Sequence, residues 1–240
     1  MSEADTPPPK RAPFDPEAAP VIERGDAREA VTHAMLTATW LRTVFDRPQP
    51  WATELTDESR MLASRDPVPA AVLIPIVDRP EGATVLLTRR TAHLNDHAGQ
   101  ISFPGGKVDA GDEDRIATAL RETQEEVGLS HRCIHVIGQL PDYLTGTGFM
   151  VTPVVALIAP PFSLTPDSFE VAEVFEVPLA FLMNPANHET RMVRWFDDQT
   201  EFTRHFFAMP WESSSRSYFI WGATAAMLRN LYRFLYAQQT

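Results

Sequence analysis

The chain has 240 residues, of which 44% are hydrophobic. This length and composition predict one sizeable core, or a compact domain with extensions, rather than several domains. Its formal net charge of −11 argues against a broad nucleic-acid-binding surface, although a local basic cluster or a bound metal can still attract an anionic substrate. The single cysteine, Cys133, excludes an internal disulfide and fits a reducing cytoplasm.

The first 64 residues are predicted to lie outside the main domain. Residues 1–25 are rich in proline and predict a disordered arm, because such a segment neither forms a helix nor buries much apolar surface. No apolar stretch follows Lys10 and Arg11, so a signal peptide is not expected. Residues 26–64 predict a helical extension, since apolar residues recur at helical spacing at Val31, Ala34, Met35, Ala38 and Leu41.

The main domain, residues 65–240, mixes strands and helices. A strand is predicted at 68–77, where Pro75 indicates an edge position or a bulge, and strands at 84–88 and 101–103 follow. Later strands are predicted at 134–140, 151–158, 191–196, 202–209 and 218–221, with helices at 114–127, at 179–184 and at the C-terminus. No apolar run is long enough to cross a bilayer. The order predicts an α+β fold or an α/β/α sandwich.

The helix predicted from Asp114 to Val127 carries an unusual charge pattern. Gly128 favours a left-handed helix end, so three glutamates occupy the last turns, where the helix dipole disfavours negative charge by roughly 0.3–1 kcal/mol each. Glu122 and Glu126 also repel each other one turn apart. A divalent cation would offset this repulsion, and magnesium prefers such oxygen ligands. The alternative, a solvated acidic face, is favoured for the Arg-Glu-x-x-Glu-Glu string taken alone.

A glycine loop precedes this helix and makes the pattern more specific. Phe103-Pro104-Gly105-Gly106 joins a strand to the helix, and two adjacent glycines let backbone approach a metal or a diphosphate closely. With this loop the chain resembles the Nudix hydrolase family, whose box is G-x5-E-x7-R-E-U-x-E-E-x-G-U, with U an aliphatic residue. The box here runs from Gly106 to Leu129. It departs from the pattern at Asp112, which replaces a glutamate, at Thr123, which replaces an aliphatic residue, and in one extra residue before Arg121.

The departures resemble the coenzyme A pyrophosphatase branch of that family. The resemblance extends over about residues 65–235, through Leu94, His97, Gly148, Pro153 and residues 86–91, 99–101, 103–106, 118–122, 142–145, 170–178 and 220–222. It implies a Nudix-type αβα sandwich with a mixed sheet. It also implies hydrolysis of coenzyme A to 3′,5′-ADP and 4′-phosphopantetheine.

The resemblance also implies roles for the residues of the box. Glu122 and Glu126 become the expected ligands of Mg²⁺ or Mn²⁺, and Glu125 a further ligand or a base acting through water. A backbone carbonyl near Gly105 or Gly106 is a further candidate ligand of the metal. Arg121 is expected to orient a neighbouring glutamate, and a plain ion pair with Glu125 would be a version of the same role.

Several candidates outside the box stay open. The general base is Glu125, Glu170 or Glu173, the last two expected in a loop, and an ordinary surface carboxylate is the alternative for each. Arg89 and Arg90 are candidates for binding the 3′-phosphate or the diphosphate of the substrate. The alternative is that they are exposed arginines at a strand end with no such role. His97 is a candidate for contacting phosphate, and the alternative is a structural role within the fold. Aromatic residues could stack an adenine, although core packing is the default for Trp211, Tyr218 and Trp221.

Three functions are therefore weighed. The first is a diphosphatase of coenzyme A or its acyl derivatives, and the second is the same chemistry on ADP-ribose, a dinucleotide or an oxidised nucleotide. The third is a non-catalytic Nudix-fold binding module, against which the three intact carboxylates speak. The partner expected is a small-molecule substrate, with neither nucleic acid nor membrane, and a homodimer is left open.

Overall fold

The computed structural model describes residues 15–54, 66–92, 99–197 and 200–239. In these ranges the strands are β1 (Val21–Arg24), β2 (Val68–Val77), β3 (Thr84–Arg90), β4 (Ile101–Ser102), β5 (Gly105–Lys107), β6 (Ile134–Gln139), β7 (Tyr143–Leu144), β8 (Phe149–Ile158), β9 (Val171–Pro178), β10 (Glu189–Asp197), β11 (Thr200–Glu212) and β12 (Ser217–Trp221). The helices are α1 (Ala38–Asp46), α2 (Arg115–Val127), α3 (Leu179–Leu182) and α4 (Gly222–Ala237).

A mixed sheet forms the centre of the fold, in the order β4-β3-β2-β8-β6. β2 and β8 run parallel, and β5, β7 and β9 pair antiparallel with β2, β8 and β3. Side chains of β2 alternate between two cores, as a strand period of two requires. Ala71 and Leu73 pack on the face covered by α2, whereas Ile74 and Ile76 join the core built with α1 and α4. The predicted α+β class and αβα sandwich are confirmed.

A second, antiparallel sheet has the order β1-β10-β11-β12. It contributes Phe207, Met209 and Ile220 to the core that contains α4. This helix is buried on several faces, because it lies between the two sheets and the N-terminal segment. No helix among the described residues is both long and apolar enough to span a bilayer.

The prediction that Pro75 marks a sheet edge or a bulge is wrong. β2 pairs with β8 along its whole length, and its other side pairs with β5 at residues 70–72 and with β3 at 76–77. Leu73 donates its N–H to the Pro104 carbonyl on that second side, towards which Pro75 also points. Pro75 therefore falls in the interval between β5 and β3, where no strand needs its missing N–H.

The prediction of a disordered arm through residue 25 is wrong for its last part. Residues 1–14 lie outside the described ranges, whereas Val21–Arg24 forms β1 and pairs with β10. In the predicted helical extension, His33–Met35 is a 3-10 turn and α1 begins only after Thr37, whose hydroxyl accepts the Trp40 N–H. Residues 55–65 of that extension are outside the described residues as well. Pairing across distant segments, invisible to local periodicity, orders this region.

Candidate active site

Helix α2 presents its glutamates on different sides. Asp114 caps the first turn by accepting the Ala117 N–H at 2.7 Å, and Gly128 ends the helix with φ of 69°. Ala119 and Val127 are fully buried against the sheet, as the sequence predicts. That orientation leaves the Glu125 side chain 60% exposed, whereas the Glu126 side chain is only 7% exposed.

The two loop glycines are required by close approaches. A Cβ on Gly106 would lie 2.5 Å from the Glu122 Cδ, and one on Gly105 would lie 2.4 Å from the Ala71 carbonyl oxygen. Gly105 also donates its N–H to Glu126 Oε2 at 3.2 Å. The glycines therefore let β5 fit between β2 and the glutamates of α2.

Arg121 ties three carboxylates together. Its guanidinium donates to both oxygens of Asp112 at 2.9 Å, to Glu122 at 2.9 Å and to Glu125 at 3.0 Å. Asp112 also accepts the Asp109 N–H and the Thr118 hydroxyl. The Arg121 hydrogen bonds, supported by these two, hold the pKa of Asp112 well below its usual range. Asp112, in the place of the family's glutamate, thus anchors the arginine beside Glu122.

Glu126 is the acid of the site whose pKa is raised most. Burial raises its pKa to about 7, and the charges of Glu122 and Glu170 add to this rise. The Gly105 N–H and Arg90, whose guanidinium lies 3.7 Å from Glu126 Oε1, oppose it. Burial also raises the pKa of Glu122, together with the charges of Glu125 and Glu170 and against Arg121. Glu122, Glu126 and Glu170 therefore share a region in which Arg90 and Arg121 do not fully offset burial and the repulsion between the acids.

Glu173 is not brought to this region. It lies on strand β9, not in the predicted loop, directly opposite Arg89 of β3. Its carboxylate pairs with Arg89 at 2.7 Å and Arg216 at 2.9 Å, and accepts the Tyr218 hydroxyl at 2.8 Å. Because Glu173 shares its strand face with Phe175, which packs in the core opposite α2, the sheet separates it from Glu126. Of the two acids predicted outside the box, Glu170 is the one near α2.

The two predicted substrate-binding arginines also separate. Arg90 points towards Glu126, and Arg89 points to the opposite face, where it meets Glu173. Among the aromatic candidates, Tyr218 and Trp211 stack with Phe175 in the core, with Tyr218 and Phe175 centroids 4.0 Å apart. His97 lies outside the described residues.

A divalent cation fits the donor chemistry of the α2 region. Across the described ranges, no three acidic, imidazole or thiol groups converge as a ready-made ligand set. Glu122 and Glu126 nevertheless offer carboxylate oxygens, and burial, together with the charges of neighbouring acids, raises the pKa of both. Hard divalent ions prefer such oxygen ligands and complete their shells with water and phosphate.

Sequence reasoning missed three contributors to the surroundings of the site. Arg216 shares Glu173 with Arg89, and Arg191 holds the N-terminal segment in place through the carbonyls of Pro16, Glu17 and Ala19. The Asp112 anchor was visible only as a departure from the family box. No local pattern points to these roles of Arg191 and Arg216, because Glu173 and the carbonyls of residues 16–19 are distant from them in the chain.

Comparison with known proteins shows the family of the chain. The NUDIX domain family model matches residues 67–205. Two relatives called uncharacterized Nudix hydrolase NudL, from Yersinia enterocolitica and Salmonella paratyphi B, are each 44% identical over 162 residues, which is 68% of this chain and 78% and 80% of theirs. A solved Nudix hydrolase of M. smegmatis, RenU, is 26% identical with a TM-score of 0.42, covering 55% of this chain and 80% of its own. From the family match and the relatives, the chain belongs to the NUDIX domain family and is a Nudix pyrophosphohydrolase.

Proposed function

We propose that this chain hydrolyses the diphosphate bond of coenzyme A or its acyl derivatives, giving 3′,5′-ADP and (acyl-)4′-phosphopantetheine. We further propose that Glu122 and Glu126 hold the Mg²⁺ or Mn²⁺ that the reaction uses, with Glu125 close by as a further ligand or as the base. One observation carries the site: a buried Glu126, beside Glu122, with its pKa raised to about 7. A buried acid with a pKa raised in this way, next to a second acid, supports the proposal of a functional site here.

The choice of coenzyme A is supported by segments that border this site. The segment containing Arg89 and Arg90 resembles the coenzyme A branch, as does Gly99-Gln100-Ile101. The two segments are joined directly, because Arg90 donates its N–H to the Gln100 carbonyl at 3.0 Å. Arg90 then extends to within 3.7 Å of Glu126. Of the residues in these two segments, Arg90 is the one that reaches the carboxylates proposed to serve the chemistry.

The bound metal would supply Lewis acidity and a more acidic water. Gly105 and Arg90 hold the Glu126 carboxylate from two sides, and Arg121 orients Glu122. Arg90 is placed to bind a diphosphate oxygen while it stays near Glu126. Glu125, exposed beside Arg121, can accept a proton from the attacking water, and Glu170 is the second candidate for that step.

A substrate panel read by mass spectrometry tests this function. Purified protein with Mg²⁺ or Mn²⁺ would be offered coenzyme A, acetyl-coenzyme A, ADP-ribose and a dinucleoside polyphosphate. We expect 3′,5′-ADP from the first two, with the highest kcat/KM. A higher kcat/KM for AMP release from ADP-ribose would instead favour the second candidate, another nucleoside diphosphate derivative.

Two further expectations accompany the proposal. A cytoplasmic location stays a prediction, with which the single cysteine is compatible. The homodimer stays a prediction, and sedimentation velocity at several protein concentrations checks it.

A further inference from the structure

A cleft of about 410 Å³ lies on the sheet face opposite α2. We propose that it binds the nucleoside half of the substrate, a purine ring with a ribose phosphate; this inference rests on the proposed function. We call it the Arg89 cleft. Besides Arg89 and Trp221, its walls are the segments Asp15–Glu17, Gly99–Ile101 and Ser217–Phe219.

The inner part of the Arg89 cleft offers a guanidinium to an anionic group. Arg89 is the basic residue of the lining, and it shares the Glu173 carboxylate with Arg216, so two guanidinium groups face one carboxylate. The acidic residues of the lining stand at the exposed rim, where the Asp15 carboxylate accepts the Glu17 N–H. A guanidinium matches a phosphate monoester with two parallel hydrogen bonds. A ribose phosphate can therefore compete with Glu173 for Arg89.

The outer wall of the cleft is held in place from within the protein. The Arg191 side chain is 11% exposed and donates to the backbone carbonyls of Pro16, Glu17 and Ala19. Its guanidinium also lies 4.8 Å from the ring centroid of Phe219, which lines the cleft. Arg191 thus fixes the N-terminal segment against β12. The N-terminal segment and β12 both lie outside residues 67–205, the part of the chain that matches the family.

The position of the cleft relative to the carboxylates suits a two-part substrate. Arg89 and Arg90 are consecutive at the end of β3, and consecutive strand side chains point to opposite faces. Arg90 serves the Glu126 side and Arg89 serves the cleft. A substrate whose diphosphate lies at Arg90 can therefore pass its nucleoside half around the strand end into the cleft.

The nucleoside half suits this cleft better than the pantetheine half does. Phe219 and Trp221 are only partly buried and offer ring surfaces to a planar base, whereas Tyr218 packs against Phe175 in the core. The pantetheine arm carries no charge to pair with Arg89, and its many rotatable bonds lose more entropy when ordered. The cleft is therefore expected to bind the nucleotide portion of the substrate, with Arg89 contributing to the affinity by pairing with its phosphate.

Calorimetry with 3′,5′-ADP in metal-free buffer tests the assignment without requiring catalysis. Ser217 is exposed and lines the cleft, so Ser217→Trp should fill it and weaken 3′,5′-ADP binding at least tenfold. Ser215→Trp is the matched control, because Ser215 is exposed in the turn just before β12 and outside the lining, so this variant should bind 3′,5′-ADP as tightly as the wild type does. Melting temperatures show whether both variants are folded.

A second variant keeps the test decisive if Ser217→Trp does not fold. Arg89→Gln should reduce the preference for 3′,5′-ADP over 5′-AMP to about one, because the additional phosphate loses its guanidinium. The proposal is overturned if wild-type protein does not bind 3′,5′-ADP. It is also overturned if folded Ser217→Trp binds 3′,5′-ADP normally, if Arg89→Gln keeps the preference, or if Ser217→Trp weakens 4′-phosphopantetheine instead.

These outcomes separate the cleft from the proposed reaction. If coenzyme A is not cleaved but 3′,5′-ADP binding falls only in Ser217→Trp, the cleft assignment stands and the proposed substrate fails. If coenzyme A is cleaved with an unchanged KM by Ser217→Trp, the reaction stands and the cleft assignment fails.

Discussion

At the scale of single residues, neighbouring glutamates of one helix differ through their surroundings. Glu125 is largely exposed and pairs with Arg121, whereas Glu126 is buried under the Gly105 loop with its pKa raised to about 7. Because the folded-state pKa exceeds the ordinary 4.5, ionising Glu126 opposes folding as the pH rises from 4.5 through 7. The ionised Glu126 carboxylate therefore lowers the stability of the folded protein when no metal is bound.

Glu126→Gln should lower kcat at least 100-fold, about 2.7 kcal/mol of barrier, because the amide cannot replace a carboxylate at the cation. In metal-free buffer at pH 8 the same variant should melt at a higher temperature than the wild type, since a buried charge is removed. Steady-state kinetics and calorimetry check both effects. Glu113→Gln, an exposed position just before α2, is the control and should change neither. Wild-type turnover in Glu126→Gln would remove it from the catalytic site.

The repulsion between Glu122 and Glu126 leads to a second prediction. Mg²⁺ or Mn²⁺ should raise the melting temperature of the wild-type protein, because cation binding only to the folded state stabilises it. This rise in melting temperature should be smaller in Glu122→Gln than in the wild type, and as large as in the wild type in Glu113→Gln. An equal rise in Glu122→Gln and in the wild type would place Glu122 outside the metal site.

At the scale of elements, the site depends on how closely β5 approaches α2. Gly105 and Gly106 pair with Ala71 and Val72 of β2 on one side and meet the glutamates on the other. Arg121 locks Glu122 from the helix side, so this carboxylate has little freedom to retreat. The strand, the loop and the helix therefore set the carboxylate positions together.

Gly106→Ala should displace the Glu122 carboxylate, because the new methyl would lie 2.5 Å from its Cδ. We expect a loss of at least tenfold in kcat and a smaller melting-temperature rise with Mg²⁺. Gly111→Ala is the matched control in the same loop, since a methyl there meets nothing within 4 Å. Equal kinetics for the two variants would contradict this account of the loop.

At the scale of the whole molecule, α4 is joined to the N-terminal segment by buried charges. Arg229 pairs with Asp26 at 3.1 Å and with Glu54, which also pairs with Arg233 at 3.1 Å. His188 lies beneath this network, with its Nε2 2.8 Å from the Leu182 carbonyl oxygen. Burial lowers its pKa to about 4, with the Arg229 charge adding to that effect.

His188 should make stability depend on pH between 4 and 6.5. Its folded-state pKa is below the ordinary 6.5, so the unfolded chain binds a proton that the folded chain refuses. Stability is therefore complete above pH 6.5 and falls by up to about 3 kcal/mol as the pH drops to 4. Denaturant unfolding at several pH values should show a shallower slope in His188→Gln. His135→Gln, on an exposed part of β6, should keep the wild-type slope, and a wild-type slope in His188→Gln would contradict the assignment.

Local patterns in the sequence determined much of the fold and the composition of the site. The caps at Asp114 and Gly128 and the apolar period between them determined helix α2, and runs of apolar, β-branched residues determined strands such as β2 and β8. The Arg-Glu-x-x-Glu-Glu string with Gly105-Gly106 located the candidate metal site. These features are readable because caps, turns and periodicity act over a few residues.

Only the tertiary structure decided which candidates meet. Glu173 was predicted beside Glu170 as a possible base, but the β3–β9 register places it against Arg89 on the far face of the sheet. Pro75 and β1 depend in the same way on strands far along the chain. The physical reason is that pairing register decides the face on which each side chain emerges. That register is set by contacts between distant segments, which no local pattern records.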